Sequence, residues 1–222
     1  MSTARRSYPP FDPQCRACPR LARFLDSVRI AQPRYHAAPV PAFGAKRPRL
    51  LIVGLAPGMH GANRTGRPFT GDHAGVLLYR TLHRYGYASA AQSLDATDAL
   101  QLSGCRVTNA VKCLPPQNRP ENREIVECNR YLAAEVGEVR PAGAILALGA
   151  IAHRATLLAF SLRASAFPFA HGARHALPLG RVLFDSYHCS RYNTQTKRLT
   201  EAMFVSVFDA IADHLDRARA RV

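Results

Sequence analysis

Three short runs of apolar residues constrain the fold of this 222-residue chain more than any other feature. They cover residues 50–53, 144–148 and 182–184, and glycine or proline residues flank them. Continuous runs of this length are typical of strands that are buried on both faces of a parallel sheet. The intervening segments have helical periodicity, and so do two segments near the ends of the chain. The five predicted helices cover residues 21–28, 76–85, 124–136, 151–160 and 204–215.

The alternation of strands and helices predicts one domain over residues 1–222. Its expected architecture is α/β, a three-layer α/β/α sandwich around a central, mainly parallel sheet. Sheets of this kind bind ligands at the carboxyl ends of their strands, so we expect the chemistry in the loops that follow the strands.

The charge balance indicates an acidic partner, because 30 Lys and Arg residues face 15 Asp and Glu residues, a net charge of +15. Such a surface suits a nucleic-acid backbone or an anionic membrane face, and it also serves solubility alone. No apolar run approaches the roughly 18 residues of a membrane-spanning helix. No apolar stretch follows the N-terminal arginines, as a secretory signal would require. We therefore expect a cytoplasmic protein whose thiols stay reduced.

Four of the six cysteines have a spacing that suits a metal centre. Cys15 and Cys18 form a C-x-x-C pair, and 14 residues separate Cys113 from Cys128. Four thiolates bind either Zn²⁺ or an iron–sulfur cluster, and the spacing alone does not choose between them. A C-x-x-C pair also occurs as a redox pair or by chance. The other two cysteines have no close cysteine partner and are predicted to pack in the interior.

A glycine-rich loop follows the first predicted strand, from Gly54 to Asp72. Glycine lets the backbone approach a ligand closely and present N–H groups to an anion. The loop matches neither the P-loop nor the dinucleotide-binding fingerprint. Two of its side chains each have two interpretations. Asp72 either caps the following helix or faces a ligand, and Phe69 either packs in the core or stacks on a planar base.

A second loop follows the last apolar run and begins at His188. A histidine at this position is either a structural group or a hydrogen-bonding partner for a ligand. Ser190, Arg191 and Asn193 come next, and the basic residues of the loop supply the charge expected of a phosphate clamp. Gly-x-Ser-x-Gly is absent, so the sequence does not support a serine hydrolase.

Taken in order, these motifs resemble those of the uracil-DNA glycosylase superfamily, and within it the family 5 branch. The resemblance covers most of the chain. The matching segments are Cys15-x-x-Cys18-Pro-Arg-Leu, Pro39-Val-Pro-Ala-Phe-Gly, residues 54–72, Thr108-Asn-Ala-Val-Lys-Cys113-Leu-Pro-Pro-Gln-Asn, Leu146-Ala-Leu-Gly149, and His188-x-Ser-x-x-Asn193 with Leu199-Thr200.

This resemblance implies a cofactor and a set of partners. Cys15, Cys18, Cys113 and Cys128 would hold a [4Fe–4S] cluster, which would tie the N-terminal helix to the segment after Asn109. The protein would be a monomer that acts on single- and double-stranded DNA containing uracil or deaminated bases. It would not bind a membrane, and in a prokaryote it would associate with the nucleoid.

The resemblance also implies a DNA repair reaction, the removal of a flipped uracil by monofunctional hydrolysis of the N-glycosidic bond, which leaves an abasic site. Phe69 would stack on the base, Asn109 would hydrogen-bond its edge, and His188 would donate to the oxygen where negative charge develops. Asp72 would stabilise the cationic sugar and orient water. The expected catalytic residues are Asp72, Asn109 and His188, and the expected substrate-binding residues are Gly54, Leu55, Ala56, Pro57, Gly58, Phe69, Asn109, Ser190, Arg191 and Asn193.

The sequence differs at a few positions from other branches of the superfamily and from the family 5 branch that it resembles. Residues 55–58 lack the Asp or Asn that other branches use to activate water, and in this the chain is similar to family 5. Cys189 stands where the family more often has proline, and Lys197 where a glycine is common. Both departures bear on the conformation of the loop that would insert into DNA, where Arg191 and Tyr192 are candidates for a wedge or simply an exposed loop tip.

Two functions of other classes remain open at this point. A non-catalytic iron–sulfur module that binds nucleic acid is favoured by the missing carboxylate and opposed by the joint presence of Asp72, Asn109 and His188. An electron-transfer protein would need neither the charge of +15 nor the loop at His188. The sequence does not rank uracil against deaminated purines as the substrate.

Overall fold

The three apolar runs form central strands of one six-stranded sheet in the computed structural model, which describes residues 9–220. The sheet order is β1-β3-β2-β4-β6-β5. The strands are β1 Phe43–Gly44, β2 Leu50–Gly54, β3 Cys105–Asn109, β4 Ala144–Leu148, β5 Arg174–Ala176 and β6 Val182–Ser186. The four central strands are parallel, and only the short edge strands β1 and β5 pair antiparallel. The prediction of a mainly parallel sheet is therefore confirmed.

Seven α-helices surround the sheet within residues 9–220. They are α1 Pro19–Ala31, α2 Ala62–Thr65, α3 His73–Arg84, α4 Asn122–Glu138, α5 Ala150–Ala159, α6 Arg191–Gln195 and α7 Glu201–Arg219. All five predicted helices are present. None of the helices in this part of the chain is both long and apolar enough to cross a bilayer.

Alternate residues of each central strand face opposite layers. In β2, Leu50 and Ile52 belong to a core cluster with α3 and α7, whereas Leu51 and Val53 belong to a cluster with α4 and α5. Both faces of the sheet are covered, which is why these strands have continuous apolar sequences. The α/β/α sandwich is thus confirmed, and its four central strands end at the same edge.

A third, smaller core lies beside this sandwich. It joins α1 to residues 111–114 and to the side of α4 that carries Cys128 and Tyr131. Sequence periodicity missed β1, β5, α2 and α6, which have two to five residues each and are too short to show a period. It also missed β3, whose sequence is not continuously apolar.

Candidate active site

A cavity of about 180 Å³ lies at the carboxyl ends of β2, β3 and β6. It is smaller than the roughly 300–1,000 Å³ of pockets for drug-sized ligands, so it suits a ligand of about one ring. The lining residues are Leu55, Ala56, Gly58, Ala62, Phe69, Asp72, Ala74, Asn109, Asn118 and His188. Three elements far apart in sequence therefore bring the predicted catalytic residues Asp72, Asn109 and His188 to one place.

Gly54 lies behind the cavity wall and sets the positions of two lining side chains. It pairs with Asn109 across β2 and β3. A Cβ atom at Gly54 would lie 2.5 Å from the Asn109 Oδ1 atom and 2.5 Å from the Phe69 ring. Since real Cβ atoms do not approach other heavy atoms this closely, the site requires glycine at position 54.

Replacing Gly54 with alanine is expected to displace Asn109 and Phe69 and to slow the reaction of this site by about 10-fold or more, because small misplacements of positioning groups are costly. Gly137→Ala is the matched control, since a Cβ there meets no atom within 4 Å. Single-turnover rates of the two folded variants give the comparison. Equal rates would show that the close approach at Gly54 is not needed.

Phe69 is held in an unusual backbone conformation. Its φ is +55°, in the left-handed region that bulky residues rarely adopt. A Cβ atom added at Gly75 would lie only 1.8 Å from the Phe69 carbonyl oxygen. The Phe69 ring stacks on the His188 ring, and their centroids are 5.9 Å apart. The ring belongs to the core cluster and also lines the cavity. Its stacking on a base stays a prediction. Strain of this kind is typical of functional sites.

Asp72 caps a helix and also lines the cavity, and its contact with a ligand stays a prediction. Its Oδ1 atom accepts a hydrogen bond of 2.9 Å from the backbone N–H of Gly75 and caps α3. The Oδ2 atom lies beside Gly61 and Gly58. Burial raises the pKa of Asp72 above its ordinary value, and the N–H groups of Gly75 and Ala74 oppose that shift. One oxygen thus serves the helix while the carboxylate lines the cavity.

His188 presents a neutral imidazole to the cavity. Burial lowers its pKa to about 4, because a desolvated imidazolium is unfavourable. Within residues 9–220 neither of its ring nitrogens has a hydrogen-bond partner. Its backbone oxygen accepts a hydrogen bond of 2.8 Å from the Asn193 side chain, which fixes the start of the loop. The arrangement leaves one N–H available for a ligand.

The rest of this loop holds its own conformation. Ser190 accepts a hydrogen bond from the Asn193 N–H and caps α6, and His73 Nε2 lies 2.9 Å from the Thr194 hydroxyl. Neither Ser190 nor Asn193 lines the cavity. Of these two predicted substrate-binding residues, Asn193 therefore supports His188 and Ser190 supports α6. Pro57 does not line the cavity either.

A wider groove of about 770 Å³ adjoins the cavity and shares Gly58, Asp72 and Asn118 with it. Arg64 and Arg191 line this groove, and Tyr192 beside Arg191 is 69 % exposed. The cationic side chains and the exposed aromatic ring suit a polyanionic ligand that carries planar rings.

Sequence reasoning assigned no role to Asn118, although it lies where the cavity meets the groove. It ends the 3₁₀ turn Pro116–Asn118 with a φ of +56°, a conformation that asparagine tolerates. The Pro-Pro-Gln-Asn sequence indicates a turn. No periodicity could show that this turn returns to the end of β2.

The four predicted metal-binding cysteines line one pocket, between α1, residues 111–113 and α4. Two of their sulfurs accept hydrogen bonds of 3.3 Å, Cys128 from the N–H of Lys112 and Cys15 from the Arg130 side chain. The other two cysteines, Cys105 and Cys189, are fully buried in the main core as predicted.

Comparisons with known proteins give consistent results. A family model described as the uracil DNA glycosylase superfamily matches residues 41–212. A protein of Thermus thermophilus named type-5 uracil-DNA glycosylase is 49 % identical over 199 residues, which cover 87 % of this chain and 90 % of that protein. A protein of the same name from Mycobacterium leprae is 45 % identical, covering 87 % and 88 %. One from Pyrobaculum aerophilum is 37 % identical, covering 93 % and 88 %.

Proposed function

This chain belongs to the uracil DNA glycosylase superfamily, and we propose that it excises uracil from DNA and leaves an abasic site. The observation that carries the proposal is the cavity of about 180 Å³ that collects Phe69, Asn109 and His188 at the ends of three strands. The reacting bond is inaccessible inside a duplex, so the base must first leave the stack and enter such a cavity.

The base would be bound by a ring and an amide. Phe69 offers an aromatic face, and the Asn109 amide supplies both a donor and an acceptor for the edge of the base. His188 would donate its N–H to the oxygen on which negative charge develops. A neutral donor aimed at that charge strengthens its hydrogen bond only as the transition state forms, which is what accelerates the bond cleavage.

The glycine-rich loop would add backbone donors. Pro57 has no N–H, which reduces the donors expected from residues 54–58. The N–H groups of Ala56 and Gly58 make no hydrogen bond within residues 9–220. Asp72 would stabilise the positive charge on the sugar through its carboxylate and orient the attacking water.

The groove and the charge of the chain support DNA as the partner. Arg64 and Arg191 line the groove next to the cavity, and the net charge is +15. Contacts to phosphates would hold either a single strand or a duplex in register, with Arg191 and Tyr192 near the vacated stack. The protein would act as a monomer in the cytoplasm, on the nucleoid of a prokaryote.

Excision of deaminated purines forms part of the same proposal. Residues 55–58 present no carboxylate or amide side chain that would select one base by its edge. Polar discrimination then depends on Asn109, Asn118 and backbone groups, which suits a permissive site.

The four cysteines would hold a [4Fe–4S] cluster that joins α1 to α4. A single Zn²⁺ ion with bonds of about 2.3 Å would bring its tetrahedral sulfurs to about 3.8 Å of one another. Among residues 9–220, no three of these cysteine sulfurs lie within 4.8 Å of one another. The wider spacing fits a larger centre with thiolate ligands, whose contribution here would be structural.

Iron analysis and visible absorbance of the purified protein test the cluster. Cys113→Ser is expected to lose iron and colour, whereas Cys105→Ser, buried outside the cysteine pocket, is expected to keep both. Zinc in place of iron in the wild-type protein would contradict the assignment.

A panel of duplexes that each carry one altered base tests the reaction. We expect alkali-labile sites in the uracil duplex and no strand cleavage before alkali, and cleavage at hypoxanthine would support the wider substrate range. Tight binding of uracil duplexes without alkali-labile sites would instead identify a non-catalytic binding module.

A further inference from the structure

A second cluster of ligating side chains lies outside the candidate active site. It consists of His153 in α5, His175 in β5 and Asp185 in β6, whose ligating atoms all lie within 4.8 Å of one another. Among residues 9–220, this is the one group of three or more His, Cys, Asp or Glu residues that meets this distance. Neither the proposed excision of uracil nor the cysteine pocket uses it.

The three side chains are close together; His153 and Asp185 are shielded from water, and the His175 side chain is 11 % exposed. His153 Nδ1 lies 2.8 Å from Asp185 Oδ1, and His175 Nε2 lies 3.2 Å from Asp185 Oδ2. His153 is 1 % exposed and Asp185 is fully buried. The rings of Phe167 and Phe169 pack edge-on against the two imidazoles.

The hydrogen bonds around His153 indicate that something positively charged lies between its ring and the Asp185 carboxylate. His153 Nε2 lies 2.8 Å from the backbone oxygen of Phe167, and that oxygen can only accept, so Nε2 carries a proton. A neutral imidazole has one N–H, so the Nδ1 lone pair then faces the Asp185 carboxylate. Two acceptors at 2.8 Å repel unless an additional proton or a metal ion lies between them.

We propose that His153, His175 and Asp185 bind one divalent transition-metal ion of the Zn²⁺ class. Two imidazoles and one carboxylate form a common ligand set for such ions. Bonds of about 2.0–2.2 Å to a tetrahedral ion place neighbouring ligand atoms about 3.3–3.6 Å apart. The His175–Asp185 contact of 3.2 Å is close to this spacing, and the His153–Asp185 contact of 2.8 Å would lengthen by about 0.5 Å when the ion binds. The bond from His153 Nε2 to a carbonyl is the outer contact that a metal-bound histidine usually makes.

The ion would fasten the edge of the sheet beneath the loop at His188. It would join α5, β5 and β6, and Asp185 stands three residues before His188 on the chain. Backbone bonds from Asp185 to Ala173 and from Gly172 to Asp185 already pair this strand with the segment before β5. Three protein ligands leave one position of a tetrahedral ion for water. The role is structural, because none of the three side chains lines the cavity.

Zinc titration of the full-length protein with its cysteine site loaded tests the proposal. The wild type is expected to bind one more Zn²⁺ per chain than His175→Gln. Its midpoint of thermal unfolding should rise by roughly 5–10 °C at a zinc concentration 100 times the Kd. His175→Gln should lose both effects. His171→Gln is the matched control, because His171 stacks on Tyr187 in the same segment and is not one of the three ligands, and it should keep both effects.

A second variant, Asp185→Asn, keeps the test independent of His175. It should also lose the additional zinc, and thermal unfolding in the presence of EDTA shows whether it folds. Equal zinc binding by the wild type and His175→Gln would overturn the proposal. A wild-type protein that binds no zinc while its cysteine site is loaded would also overturn it, and would show that a proton alone bridges His153 and Asp185.

Discussion

His188→Ala is expected to reduce uracil excision by about 100-fold or more while DNA binding is retained. One donor aimed at developing negative charge contributes about 3 kcal/mol to the stability of the transition state. His188 lines the cavity, and within residues 9–220 its ring has no competing hydrogen-bond partner. Single-turnover cleavage of a uracil duplex measures the chemical step, and a binding assay on the same duplex measures affinity.

The matched control for this variant is His83→Ala, because His83 lies in the last turn of α3 and does not line the cavity. We expect wild-type cleavage from it. Full activity of His188→Ala would remove His188 from the mechanism.

The pH profile tests the charge state of His188. Its pKa of about 4 means that the imidazole stays neutral from pH 8 to pH 6, so titration of His188 should contribute no change in the single-turnover rate across that range. Protonation would begin only as the pH falls toward 4. The ordinary pKa of histidine is about 6.5. If the rate fell around that pH, and still did so in Asp72→Asn, the result would contradict a desolvated, neutral His188.

Lys112→Met is expected to lower the free energy of unfolding by about 3–5 kcal/mol, the usual effect of removing one partner of a buried ion pair. Lys112 is 1 % exposed, and its Nζ atom lies 2.8 Å from both carboxylate oxygens of Glu135. Nζ also donates to the backbone oxygen of Asn109 at 3.0 Å. Without Lys112, the Glu135 charge stays buried and uncompensated beside the strand that carries Asn109.

Urea denaturation measures this loss, with iron content followed in parallel because Cys113 is the next residue. The double variant Lys112→Met, Glu135→Leu should recover most of the stability, since two apolar side chains can replace a buried pair at little cost. A single variant within 1 kcal/mol of wild type, or a double variant no more stable than the single one, would contradict this account.

The sequence predicted the central strands well where burial on both faces made them continuously apolar. β2, β4 and β6 each coincide with an apolar run. β3 contains Arg106 and Thr108, so its pattern is not continuously apolar, although all five of its residues are buried. Arg106 is compensated by Glu138 and by the backbone of Ala45, neither of which is near it in sequence.

The candidate site was predictable to the extent that each residue ends a strand. His188 follows this rule, because it comes two residues after the end of β6. Asn109 was expected only from the resemblance, since the pattern of β3 did not predict a strand there. The Lys112–Glu135 pair was not predictable, because a lysine and a glutamate in sequence indicate a solvated surface. Ser190 and Asn193 have polar side chains that often contact ligands, yet both side chains form hydrogen bonds with other residues of their own loop.

A crystal structure of the protein bound to DNA that carries an uncleavable deoxyuridine analogue tests the central claim most directly. The account predicts an extruded uracil in the cavity, stacked on Phe69, with its edge on Asn109 and an oxygen within hydrogen-bond distance of His188. A base that remains in the duplex, or that lies in the outer groove away from all three side chains, would contradict it.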